Sequence, residues 1–148
     1  MAKKRNKSSY GKTALSASFS VSGMEEFLKR IEESGKNIDI ACKKALNESL
    51  PIVVKTAREG AERHRRTGNV VDALEVIEAK QQGNYIYAQV GIDLDEHPEA
   101  FEAVFQEYGD GHSPEFPDPF IRPAVDDNKR QINATIKKVL RKEGMPVE

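Results

Sequence analysis

Carboxylates and a lysine set close together are the first residues in this chain that could do chemistry. Asp72 followed by Glu78-Ala-Lys80 has the acid–x–Lys form of metal-dependent nucleases, where two acids and a lysine converge on a divalent ion. Such convergence usually draws on separate strands, and Asp72 lies too near Glu78 for it. Alternation along a solvent-facing strand gives the same letters. His97 and His112 lie among Asp93, Asp95, Glu96, Glu99 and Glu107, yet no HxxH, HExxH or calcium-loop spacing is present, so this stretch reads as an exposed acidic loop. Cys42 falls on the apolar side of a helix, where the sequence positions neither a His nor a basic residue to activate it, and reads as a small core residue. No catalytic, cofactor-binding or metal-ligating residue is assigned, no cofactor is expected, and the chain is read as a non-enzyme.

Binding is better served than catalysis. Arg63, His64, Arg65 and Arg66 cluster where a helix should end. They either complement the helix dipole, line a channel that tolerates DNA through non-specific phosphate contacts, or touch a neighbouring subunit. The formal net charge of −1 argues against a dedicated DNA-binding module, but the charge is sorted into blocks. Residues 1–12 carry five Lys or Arg, 93–118 carry nine Asp or Glu and no Lys or Arg, and 122–142 carry seven basic residues against two acidic ones. An acidic block and a basic block on one chain suit a head-to-tail contact between copies.

The elements that must position these residues follow from periodicity. Residues 1–16 are basic, polar and aperiodic, and are expected to form a disordered arm. Phe19 and Val21 alternate with serines as a short strand. Met24, Phe27, Leu28 and Ile31 lie on one helical face, and a second helix over 38–63 carries Ile38, Ala41, Ala45, Ile52, Val53 and Ala57, with a kink expected at Pro51. Thr67 and Asn69 shape a turn, and a hairpin turns at Gln81-Gln-Gly-Asn84. Pro98 opens a short helix that Gly109 and Gly111 stop. A last helix over 122–143 places Val125, Ile132, Ile136, Val139 and Leu140 on one face, and 144–148 read as a flexible tail. With 38% apolar and 32% charged residues and no Trp, 17–143 is expected to be a single α+β domain with a lean core: a long kinked N-terminal helix and a C-terminal helix on a small antiparallel sheet. No apolar run reaches the ~20 residues of a membrane span. The lone cysteine fits a reducing compartment, and the protein is read as cytosolic when made.

Phe116-Pro-Asp-Pro-Phe-Ile-Arg-Pro-Ala-Val125 is the most informative stretch. Its three prolines within seven residues rule out helix or central strand and dictate a rigid extended connector stopping at Arg122, with Pro123 suited to a first helical turn. Phe120 either plugs the core or, with Arg122, anchors another subunit.

In order and spacing, Gly23-Met-Glu-Glu26, Arg66-Thr-Gly-Asn69, Glu107-Tyr-Gly109 and Pro119-Phe-Ile-Arg-Pro-Ala124 resemble one family. It is that of the small tail-component proteins, the tail-completion or head–tail joining proteins of long-tailed bacteriophages and prophages. The resemblance runs from about Val21 to about Leu140. The family usually has Thr where this chain has Asp110. The resemblance implies a structural component of virion assembly that forms a homo-oligomeric ring at the head-proximal end of a tail. Its partners would be tail tube or connector proteins, with non-specific contact to passing DNA and no membrane. It would sit in the bacterial host cytoplasm during assembly and then in the virion tail or neck. Candidate interface residues are Phe120, Arg122, Glu99, Glu102 and Glu107; Arg63, Arg65 and Arg66 are candidate phosphate contacts. The alternative is a nucleic-acid-associated module using the basic arm and the Arg63–Arg66 cluster. If the acidic block serves assembly, reversing the charge of Glu99 and Glu102 weakens self-association at low salt, as light scattering would read; unchanged assembly would sink the idea.

Overall fold

Small side chains recur along one face of residues 38–62, and they set how closely the rest of the chain packs. The structure, a computed structural model, describes residues 3–5, 14–20, 29, 38–83 and 85–145. Helix α1 (Ile38–Glu62) buries Ala41, Ala45, Ala57, Gly60 and Ala61 together with Leu46, Leu50 and Val53. Pro51 lies inside α1 without ending it. The expected stripe is present, although Ile38 and Ile52 are only half-buried. The Met24–Ile31 helix and the Gly23-Met-Glu-Glu26 motif lie outside the described residues, Lys29 excepted.

Four strands form one sheet: β1 (Lys3–Arg5), β2 (Ala14–Ser20), β3 (Glu75–Gln82) and β4 (Tyr85–Asp93), in the order β1-β3-β4-β2. Strands β2, β4 and β3 are antiparallel neighbours, and β1 runs parallel to β3. Two stretches of the arm expected to lack order therefore carry strand, Lys3–Arg5 and Ala14–Ser16; backbone pairing overrides their polar composition. Leu15, Ala17 and Phe19 stand opposite Ile92, Val90 and Ala88, so these six share the face on which α1 packs. Strand β4 is central and buried from Tyr87 to Asp93, which hides the alternation a half-exposed strand would show. Between Ile77 and Lys80 the β3–β4 register slips. The Ala79 N–H released there donates to Asn47 Oδ1 of α1 at 2.7 Å.

Four further helices follow from turn chemistry. Gly68, at φ 88°, precedes α2 (Asn69–Ala73). Pro98 opens a 3₁₀ turn (Pro98–Ala100) that leads into α3 (Glu102–Tyr108), and Gly109 at φ 92° ends it. The single last helix expected over 122–143 is instead two, α4 (Arg122–Asp126) and α5 (Lys129–Lys142). Asn128 breaks it: its side-chain amide donates to the Ala124 carbonyl and to Thr56 Oγ1 of α1, both at 2.8 Å, and so competes with the backbone ladder. Ile132, Ile136, Val139 and Leu140 bury one side of α5, which packs on α1. The tail expected from 144 starts later. Met145 is buried and its N–H donates to the Leu140 carbonyl at 2.9 Å, closing the helix end with Gly144 at φ 77°. The fold is thus α+β, with α1 and the C-terminal helices on one side of the sheet. No helix among the described residues is long and apolar enough to cross a membrane.

Gly60 marks where the connector crosses α1 closely. A Cβ placed there would lie 2.5 Å from the Phe120 Cβ. Ordinarily Gly→Ala inside a helix gains about 1 kcal/mol, but here overpacking of about 1–3 kcal/mol opposes it. Gly60→Ala is therefore expected to lower the thermal midpoint. A raised midpoint would show that the connector can move away from α1.

Candidate functional site

The proline connector has few backbone donors, because Pro117 and Pro119 have none, and those it has are gathered by two adjacent residues of α3. The Asp118 N–H donates to the Gln106 carbonyl at 2.7 Å. Glu107 Oε2 accepts from the Phe120 N–H at 2.8 Å and the Ile121 N–H at 3.0 Å, and Oε1 accepts from the Arg122 N–H at 3.2 Å. Every N–H from residue 118 to 122 that exists is thereby satisfied. Gln106 Nε2 also donates to the Gly60 carbonyl at 2.8 Å, tying α3 to the last turn of α1. Both side chains are buried, as such groups can be when fully bonded.

A second set of contacts holds the connector from the other side. Arg63 donates through Nε and Nη2 to the two oxygens of Asp118, both at 2.8 Å, and His64 Nε2 lies 2.8 Å from Asp118 Oδ2. The Arg63 hydrogen bond holds the Asp118 carboxyl below its ordinary range. The His64 ring packs on Phe116 at 4.9 Å between centroids. Asp110 accepts from the Ser113 hydroxyl and from the Ser113 and His112 N–H groups, which bring its carboxyl down to about 2.

These contacts sort the residues that sequence singled out. Phe120 is buried against α1 at Gly60 and fills the core, so it is not an external anchor. Glu107 is buried too, and is a backbone acceptor rather than a surface acid. Arg122 is exposed beside it. Arg63 is taken up by Asp118 and Arg65 by Glu62 at 2.7 Å, which leaves Arg66 as the arginine of the cluster without an ion pair among the described residues. Arg66 and Glu102 line a cavity of about 130 Å³ with His64, Phe105 and Phe116. The Asn69 N–H donates to Thr67 Oγ1 at 3.2 Å, forming the expected turn, and Asn69 Nδ2 donates to the Glu99 carbonyl at 3.4 Å. The Arg66–Asn69, Glu107–Gly109 and Pro119–Ala124 segments accordingly meet around α3.

The acidic stretch is less exposed than its composition suggests. Asp93 is buried and Oδ1 accepts from the Asp95 and Glu96 N–H groups at 3.0 and 3.4 Å. His97 stands between two carboxylates, with Nε2 3.0 Å from buried Glu75 and Nδ1 3.1 Å from Glu99. Sequence reading missed Glu75, which reaches this loop only because β3 pairs beside β4. Ligand atoms of Glu75, Glu96 and His97 lie within 4.8 Å of one another. Both imidazole nitrogens are already committed to carboxylates, so a cation would have to displace those bonds. The bulge also separates Glu78 from Lys80. Glu78 faces α1 with Val76, whereas Lys80 stands opposite Tyr87 on the other face of the sheet. Cys42 is buried, and burial pushes its thiol up to about 11, so it is a poor nucleophile.

No protein-family model, curated protein or solved structure matches this chain.

Because three backbone donors, two of them buried, depend on one side chain, Glu107→Ala is expected to destabilise by about 3 kcal/mol, with a matching fall in the urea midpoint. Glu115→Gln, at an exposed residue just before the connector, should change stability by no more than about 0.5 kcal/mol. Equal, small effects of both would mean that the connector holds without its clamp.

Proposed function

We propose that this chain is a structural protein of bacteriophage or prophage assembly, a tail-completion or head–tail joining component that acts as a ring at the head-proximal end of the tail. What supports the reading is that two segments of the resemblance, Glu107-Tyr-Gly109 and Pro119–Ala124, form one device, Glu107 holding the N–H groups of Phe120, Ile121 and Arg122. Inward residues of these segments build the junction, while Tyr108 and Arg122 stand exposed for a partner. The mechanism is stoichiometric binding: subunits associate weakly alone and are ordered by a tail tube or connector template. The protein would meet these partners in the host cytoplasm and remain in the tail or neck of the particle.

The alternative, a nucleic-acid-associated module, has less support, since Arg63 and Arg65 are engaged within the chain. Phosphate contact would rest on Arg66 and the N-terminal lysines. Removing the gene from a phage or prophage that encodes this chain is expected to leave heads and tails unjoined, or tails malformed, by electron microscopy, with rescue by the protein in trans. Normal infectious particles without it would overturn the proposal.

A further inference from the structure

Helix α3 and its N-cap residue Phe101 turn their aromatic side chains away from the core. Phe101, Phe105 and Tyr108, at i, i+4 and i+7, are 52%, 41% and 66% exposed. Phe101 and Phe105 are already packed edge to face, with centroids 5.6 Å apart, so the ridge is ordered before anything binds. Glu99 and Glu102 flank it, and no lysine or arginine occurs between residues 93 and 118. Exposed aromatics in an ordered row are the composition of an interface centre rather than of a solvated helix.

Elsewhere on the molecule lies a groove of about 930 Å³, between the flank of α1 and strand β3. Leu50, Val54 and Val76 form its apolar floor, and Ile40, 62% exposed, extends it along α1. Four cations stand on its walls against two acids. One of them, Lys44, is paired with Glu143, while Arg58 has a buried Nε–H with no acceptor among the described residues. Apolar floor, cationic wall and an unmet guanidinium donor are the complement of an acidic aromatic ridge.

We infer that the α3 ridge of one copy docks in the α1–β3 groove of a second copy of this chain. The inference rests on the ring reading above and names its contact surfaces. Ridge and groove share no residue, so the contact is heterologous: each copy gives one surface and receives the other, and repetition yields a ring or an open filament. The basic last helix is a poorer host for the ridge. Its apolar residues Ile132, Ile136, Val139 and Leu140 are buried, so it offers charge without a floor for aromatic rings. Glu99 and Glu102 would instead face Lys55 and Arg58 across the groove edge.

Two half-blocked chains test this. Phe105→Arg blocks the ridge and leaves the groove; Lys55→Glu with Arg58→Glu reverses the charge of the groove wall and leaves the ridge. Each is checked for native circular dichroism and amide dispersion. Isotope-labelled Phe105→Arg chain is titrated with unlabelled groove-blocked chain to about 1 mM, which reaches millimolar dissociation constants. Amide shifts are expected at Val54 and Val76, together with a mixed dimer that grows no further. Titration with more Phe105→Arg chain should give at least about tenfold weaker shifts. No groove shifts, or equal shifts with both partners, would overturn the inference. So would groove shifts from octyl glucoside with none from the chain, which would assign the groove to a small apolar ligand. Wild-type rings seen without groove shifts would sink this interface and leave the ring reading standing. Groove shifts from chains that build only filaments would do the reverse.

Discussion

The C-terminal half of this protein depends on one buried carboxylate that accepts three consecutive backbone N–H groups. Glu107 fixes Phe120, Ile121 and Arg122 at the start of α4, and thereby fixes where the chain turns back onto α1. Burying a carboxylate is unfavourable unless its oxygens are bonded, and leaving three N–H groups unpaired is equally so. Each half of the contact therefore requires the other. The prolines help by removing donors that would have needed partners of their own. Gln106, one residue earlier, extends the same logic to Asp118 and to the end of α1.

Given that anchor, the rest of the junction has little freedom. Phe120 enters the core at the one point on α1 where Gly60 leaves room. Arg63 and His64, just past the end of α1, close over Asp118 from outside. Among the large apolar residues left facing solvent are Phe101, Phe105 and Tyr108 at and along α3 and Ile40 on the flank of α1, two unlike surfaces on one molecule.

Much of the fold was legible because its signals are local. The periodicity of α1, the hairpin, the Pro98 start of a short helix and the glycine stops all come from side-chain spacing or backbone restriction within a few residues. What periodicity could not supply was set by partners distant in sequence. Lys3–Arg5 becomes strand only because β3 presents a free edge, and the last helix breaks at Asn128 because Thr56 receives its amide. For the site, the prolines were visible and Glu107 was singled out, but as a surface acid of an interface rather than as a buried acceptor. Its signal lay in a deficit: N–H groups at 120–122 facing a helix start with no capping side chain nearby in sequence.

By itself the sequence determined the α+β class, the positions of α1, of the hairpin and of the short helix after Pro98, and the order of the segments that resemble the tail-component family. Those properties reside in single residues and their spacing, so no long-range information is needed to read them. Only the tertiary structure decided which acids are buried acceptors and which stay outside, that Arg63 binds Asp118 rather than waiting for phosphate, and that the aromatics of α3 point outward. Burial and pairing are properties of neighbours in space, and the same Glu, Arg or Phe is anchor, cap or surface according to what the fold sets beside it.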